Sequence, residues 1–178
     1  GAPVPEAQRY RGVLSELLDE IGPVEHLVLP SWSDDDNAYG PLLKFTALAG
    51  DDVARADLAV VSFGVDDIIE GIDVNRYKRL LTAWVDLASG RLDCPLVLVT
   101  PPPYPSTPHD IRPYARAVRE GAASRGLAVA DLFSAFSGMA DNERLFDAGH
   151  DLALSADGHR FAAQVIAGGV LAELEKRP

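Results

Sequence analysis

Residues Ala59–Gly71, AVVSFGVDDIIEG, decide how the rest of the chain is read. β-Branched and apolar residues run up to Gly64, two adjacent carboxylates follow at Asp66 and Asp67, and Ile68 and Ile69 lead to a second glycine. That is the pattern of a buried strand emptying into a polar loop at its carboxyl end. In open α/β sheets, ligands bind at that edge.

Working outward, strand and helix patterns alternate. Tyr10, Val13, Leu14, Leu17, Leu18 and Ile21 recur at helical spacing until Gly22-Pro23 stops them, and Glu25–Leu29 reads as a short strand ended by Pro30. Ser31–Asn37, SWSDDDN, is a polar loop that leads into a helical stretch around Leu42–Leu48. After Gly50-Asp51-Asp52 comes the strand Asp57–Phe63, then a helical stripe of Tyr77, Leu80, Leu81, Trp84 and Leu87 that closes near Gly90. Pro95–Thr100 is the next strand. The loop PPPYPSTPHD behind it must be irregular, because proline lacks the amide donor that helix and sheet interiors require. Ile111, Tyr114, Ala115, Val118 and Ala122 mark a helix ended at Gly126, Leu127–Leu132 reads as a strand, and Gly158–Leu174 closes the chain as a helix.

Such alternation implies right-handed crossovers, a parallel sheet and helices on both faces. The expected fold class is therefore α/β, a three-layer α/β/α sandwich in one domain over residues 1–178. One feature is unusual: the chain opens on a helix, where a doubly wound domain opens on a strand.

Charge and composition narrow the function. The formal net charge of −11 and pI of about 4.6 make a surface that repels phosphate backbones, so nucleic acid is not an expected partner. Hydrophobic residues at 47% are ordinary for a folded domain and set aside a disordered tail. Cys94 is the only cysteine, which excludes an intrachain disulfide and a cysteine-based zinc site and makes it a small hydrophobe. No stretch approaches the length of a membrane span, and the first residues lack a charged-then-apolar leader. The expectation is a soluble protein, cytoplasmic or secreted after processing.

The strand ending in Gly64-Val65-Asp66-Asp67, the VLVTPPPY segment and the distal LFDAGHDLALSADGHRFAA together resemble the SGNH/GDSL hydrolase superfamily, in order and spacing over nearly the whole chain. That resemblance implies a flavodoxin-like sheet. It also implies a serine nucleophile in an N-terminal Gly-Asp-Ser-Leu block, with an oxyanion hole shared by the serine amide, a glycine and an asparagine. A C-terminal aspartate and histidine complete the triad. The implied chemistry is acyl transfer to water from small esters, thioesters or acetylated sugars, with no cofactor or metal. Histidine removes the serine proton, aspartate holds the imidazole, and preorganised donors meet the oxyanion.

The chain departs from the implied pattern at each block. It has no Gly-Asp-Ser-Leu, and on one register residues 1–20 look like the segment just C-terminal to that block, which would put the first strand and its serine upstream of residue 1. On the other register Ser31 is the nucleophile, since PSWSDDDNAYG echoes the block loosely. Taken singly, Ser31 and Ser33 read as turn or cap residues. On the first register Asp34 stands where the oxyanion glycine would be, and Asp66 stands where the asparagine would be. An ionised carboxylate donates no hydrogen bond and opposes an oxyanion. The plainer reading of Asp66 and Asp67 is a solvated turn and helix start, where acids favour the dipole.

Asp147-Ala148-Gly149-His150 satisfies Asp-x-x-His as written. Counting back from Leu154-Ser155-Ala156-Asp157-Gly158-His159 instead puts the histidine role at Ala153. His159 then reads as a capping or packing residue, and His26 and His109 match no motif.

The sequence admits three functions. The first is a hydrolase using Asp147, His150 and either Ser31 or an upstream serine on a small ester-type ligand. The second is a catalytically degenerate domain of the same fold that binds or scaffolds. The third is a cation site where Asp34, Asp66 and Asp147 converge. If the centre of the sheet is filled by a second copy of the chain or by a complementing N-terminal segment, dimerisation or a split domain accounts for the missing block.

Overall fold

The computed structural model describes residues 4–5, 8–19, 58–62 and 64–176, the side chains of residues 150 and 151 apart. In chain order it forms α1 (Tyr10–Asp19), β1 (Ala59–Ser62), α2 (Val65–Ile69), α3 (Val74–Arg91), β2 (Leu96–Val99) and α4 (Arg112–Ala123). There follow β3 (Ala128–Ala130), α5 (Leu132–Ser137), a 3₁₀ turn (Glu143–Leu145), the hairpin strands β4 (Phe146–Asp147) and β5 (His150–Leu154), and α6 (Ala156–Leu174). The strand expected at Glu25–Leu29, the helix around Leu42–Leu48, and Ser31, Asp34 and His26 all lie outside the described residues.

β2 reads LVLV because it is buried on both faces, and a strand so placed has no polar side. It pairs in parallel with β1 on one flank and β3 on the other, Val97 standing opposite Val60 and Ala128. Alternation then sorts its side chains. Leu96 and Leu98 enter a core with Val61, Tyr77, Leu81 and Val118, under α3 and α4. Val97 and Val99 enter another with Leu14, Phe136, Ala162 and Ile166, under α1 and α6. Helices therefore cover both faces, which is the three-layer α/β/α sandwich that the alternation predicts.

Local chemistry sets the helix starts. The Asp73 carboxylate accepts from the amides of Asn75 (3.0 Å) and Arg76 (3.2 Å) and opens α3. Ser155 opens α6: its Oγ accepts from the Gly158 amide (3.1 Å) and donates to the Arg144 carbonyl (2.7 Å). Asp131 opens α5 by accepting from the Ser134 amide (3.1 Å). This last cap shortens the strand expected over Leu127–Leu132, which ends at Ala130. The apolar run Leu132-Phe133 continues past the strand, so hydropathy alone hides the boundary, and the one signal of it is the aspartate in between.

α6 lies close on the sheet because its inner face is small. A Cβ added at Gly169 would sit 3.1 Å from the Ala130 Cβ, and Ala162 and Ala163 are fully buried beside it. At Gly158 a Cβ would fall 1.9 Å from the Leu145 carbonyl oxygen, an overlap that only backbone movement relieves. Gly168 faces open space. Gly158→Ala is expected to lower the unfolding free energy by about 2–4 kcal/mol as overpacking against backbone, whereas Gly168→Ala raises it by about 0.5–1 kcal/mol. Urea midpoints of the two variants check the contrast.

Candidate active site

In a parallel sheet with helical crossovers, the loops after β1, β2 and β3 leave on one edge. The loop after β1 is tight. Gly64 has φ of +121°, open to glycine, and a Cβ there would lie 2.8 Å from the Tyr77 hydroxyl. α2 starts at once, so the polar loop expected after this strand is a single turn of helix. Its two acids differ. Asp66 is half-buried, while Asp67 has no exposed surface, which contradicts the reading of both as a solvated turn. Burial above all, then the Asp67 carboxylate, pushes the Tyr77 phenol well above its ordinary range.

After β2 the chain passes Thr100 and runs through the prolines to Tyr104. That ring spans the edge of the sheet: it packs against both cores and meets Phe146 at 5.6 Å between centroids. Its phenol is raised far above the usual range by burial first, then by Tyr10 and Asp66.

Thr100 and the loop after β3 form a polar knot beside it. Thr100 Oγ1 donates to Asp131 Oδ1 (3.0 Å) and accepts from the Phe133 amide (2.9 Å). Arg119 forks onto both Asp131 oxygens, Nε to Oδ2 at 2.8 Å and Nη2 to Oδ1 at 3.0 Å, and its guanidinium lies 5.6 Å from the Phe133 ring centre. Burial works to raise the Asp131 carboxyl. The hydrogen bonds from Arg119, Ser134 and Thr100 outweigh it and hold the group below its ordinary 3.8.

Asp147 and His150 stand on the β4–β5 hairpin. They are cross-strand partners, with a register shift between Phe146 and Asp147, and Asp147 Oδ1 accepts from the Gly149 amide at 2.8 Å. The Leu-Ser-x-x-Gly-His motif that follows has a structural explanation here. Ser155 caps, Gly158 makes room for the Leu145 carbonyl, and His159 Nδ1 accepts from the Tyr10 amide (3.2 Å) with the Tyr10 ring stacked on it. His159 thus joins α1 to α6, the packing role expected of it. His109 lies over Gly71, its Nε2 2.9 Å from where a Cβ would be.

These arrangements bring together Gly64, Asp66 and Tyr104 at one edge, and Asp147 with His150 on the hairpin next to it. Ser31 and Asp34 lie outside the described residues. Among the described residues, no group of three or more His, Cys, Asp or Glu is gathered as a metal site, and no helix is long and apolar enough to cross a membrane.

A family model for GDSL-like lipases and acylhydrolases matches residues 1–161. The chain belongs to that family. Solved structures agree at the level of the fold. A lipase/acylhydrolase from Enterococcus faecalis superposes with a TM-score of 0.75 at 19% identity, over 92% of this chain and 85% of its own. The psychrotrophic esterase EstA from Pseudoalteromonas sp. gives 0.73 at 14% identity, over 97% and 91%. An acetylxylan esterase from Geobacillus stearothermophilus, solved as a catalytic mutant, gives 0.75 at 16% identity, over 91% and 80%. No curated protein matches the sequence significantly.

The resemblance read from the sequence implies roles for Gly64, Asp66, Asp147 and His150; it takes in Thr100 and Tyr104 within VLVTPPPY without giving them a role, and leaves out Asp131 and Arg119. The available signal for the knot was a polar residue closing each apolar strand, Thr100 after VLV and Asp131 after AVA. Asp131→Asn tests the knot through pH. A carboxyl held below 3.8 in the native state contributes stability that is present above that value and lost as pH falls through the lower native value. The wild type should exceed Asp131→Asn by about 1 kcal/mol near neutral pH, a modest figure because the side chain is partly solvated, and the gap should close in acid, at pH well under the ordinary 3.8. Paired urea titrations at the two pH values read it directly.

Proposed function

We propose that this member of the hydrolase family is a serine ester or acyl hydrolase acting on a small ester, thioester or acetylated substrate. Its triad comprises Asp147, His150 and a nucleophilic serine, either Ser31 or one preceding residue 1. The observation that carries the reading is the cross-strand pairing of Asp147 with His150 on a hairpin immediately before α6, beside the edge where Gly64, Asp66 and Tyr104 meet. Cross-strand partners keep their Cα atoms about 5 Å apart.

In this mechanism His150 takes the serine proton as the serine oxygen attacks the acyl carbon, and Asp147 stabilises the imidazolium. The proton then passes to the leaving alcohol or thiol as the acyl–enzyme forms. Water, deprotonated by the same histidine, attacks the acyl carbon, and the serine oxygen departs with that proton to release the acid. Gly64 keeps α2 close to the site. The acetylated class is among those the family resemblance implies, and one structural neighbour is named an acetylxylan esterase.

Asp66 favours a second reading, a domain of this fold that binds without turning over. Its carboxylate stands where the family resemblance implies an amide donor, and the negative charge opposes a developing oxyanion. One pair of variants separates the two. The hydrolase reading expects the protein, together with any natural sequence preceding residue 1, to cleave p-nitrophenyl acetate and His150→Ala to abolish the reaction. It also expects Asp66→Asn, which restores a donor, to raise kcat by about 10²–10³. No hydrolysis by the parent or by Asp66→Asn would favour the binding domain.

A further inference from the structure

Beneath the edge that carries Gly64 and Asp66 lies a buried polar cluster that the proposed mechanism does not use. Asp67 and Tyr77 have no exposed surface, and Tyr114 is buried beside them. The three come from different elements, α2, α3 and α4, and the two rings meet edge to face with centroids 5.3 Å apart. Ile68, Leu81 and Val118 share their core.

The two phenols hold opposite ends of one segment. At its start Gly64 has φ of +121° and gives α2 no side-chain cap. The edge of the Tyr77 ring lies against it, the hydroxyl 2.8 Å and Cε2 3.1 Å from where a Cβ would be. At its end the Tyr114 hydroxyl donates to the Ile72 carbonyl. In between, the Ile68 amide donates to the Gly64 carbonyl (3.1 Å), the Glu70 amide to Asp66 (2.8 Å) and the Ile72 amide to Asp67 (2.8 Å), so the segment is wound as one unit. The Asp67 carboxylate lies near both rings: second only to burial, its charge raises each phenol above the ordinary value.

Packing alone does not call for hydroxyls at these two positions. Phenylalanine would fill nearly the same volume, and a buried hydroxyl costs free energy unless its polar atom is used. Nor does α2 hold itself in place, since a helix of five residues is not stable without tertiary contacts. Asp66 stands in its first turn, so the place of residue 66 depends on what holds Gly64 at one end and Ile72 at the other.

We infer that Tyr77 and Tyr114 are positioning residues for this edge: by holding Gly64 and Ile72 they fix the turn that carries Asp66, and so set where residue 66 meets a bound ligand. The inference rests on the hydrolase reading for the reaction that the turn serves, and not for the contacts that hold the turn.

The test compares Tyr77→Phe and Tyr114→Phe with Val85→Ala, which opens a cavity in the same core two turns further along α3, each in the protein with any natural sequence preceding residue 1. Amide hydrogen exchange needs no turnover. The Ile68, Glu70 and Ile72 amides should exchange about fivefold faster in each tyrosine variant, whereas Val85→Ala, which loses more packing, should leave these three at the parent's rate. The second reading is kcat for p-nitrophenyl acetate. The gain expected from Asp66→Asn should shrink about tenfold, at unchanged KM, when combined with either tyrosine variant, and hold when combined with Val85→Ala. Faster exchange of the turn with no ester cleaved by any variant would keep the inference and remove the hydrolase reading. Exchange no faster than in Val85→Ala, or an Asp66→Asn gain that both tyrosine variants leave whole, would overturn the inference, and ester cleavage by the parent would still keep that reading. If Asp66→Asn brings no gain, the exchange rates decide alone.

Discussion

Parallel pairing of β1, β2 and β3 is the constraint on which the rest of the molecule depends. Once Leu96–Val99 is buried on both faces between two parallel neighbours, each strand must be followed by a helical crossover. Every loop that leaves a strand then opens on the same edge. Gly64, Thr100 and Asp131 come directly after, or within two positions of, the ends of the three strands, and they stand together because the ladder leaves them no other place. The site is thus a consequence of the hydrophobic ladder and not a separate construction.

At that edge polar groups meet a largely apolar core, and the structure satisfies them where they sit. Thr100 is almost wholly buried, yet its hydroxyl both donates and accepts. Asp131 ends a strand, caps a helix and receives a guanidinium fork, so one carboxylate joins β3, α5 and α4. On the opposite face His159 ties α1 to α6 through the Tyr10 amide. These contacts hold the walls on either side of Tyr104, which touches both cores and stays neutral.

The layered fold was legible because the strongest sequence signals are those of burial on two faces. LVLV can only be an interior strand, and the stripe from Tyr77 to Leu87 can only be a helix on it. Boundaries were less legible where an apolar run crosses from strand to helix, as at Ala130–Leu132, since hydropathy does not change when a cap intervenes. Asp66 and Asp67 were indistinguishable as letters. Their difference in burial depends on the turn that Gly64 permits and on Tyr77, more than ten positions after Gly64 in sequence. Asp-x-x-His at Asp147 and His150 was readable as letters, beside the rival count that puts the histidine role at Ala153, and the hairpin adds that residues 147 and 150 are cross-strand partners. Tyr104 closed the VLVTPPPY segment without an assigned role, because its position depends on a tertiary meeting with Phe146.

The central claim is that this edge activates a serine through His150. The most direct measurement is labelling of the protein with a fluorophosphonate, followed by peptide mapping of the modified residue. The account predicts covalent phosphonylation of a single serine, with no labelling of His150→Ala. Absence of labelling in the parent protein, or labelling that His150→Ala leaves intact, would contradict it.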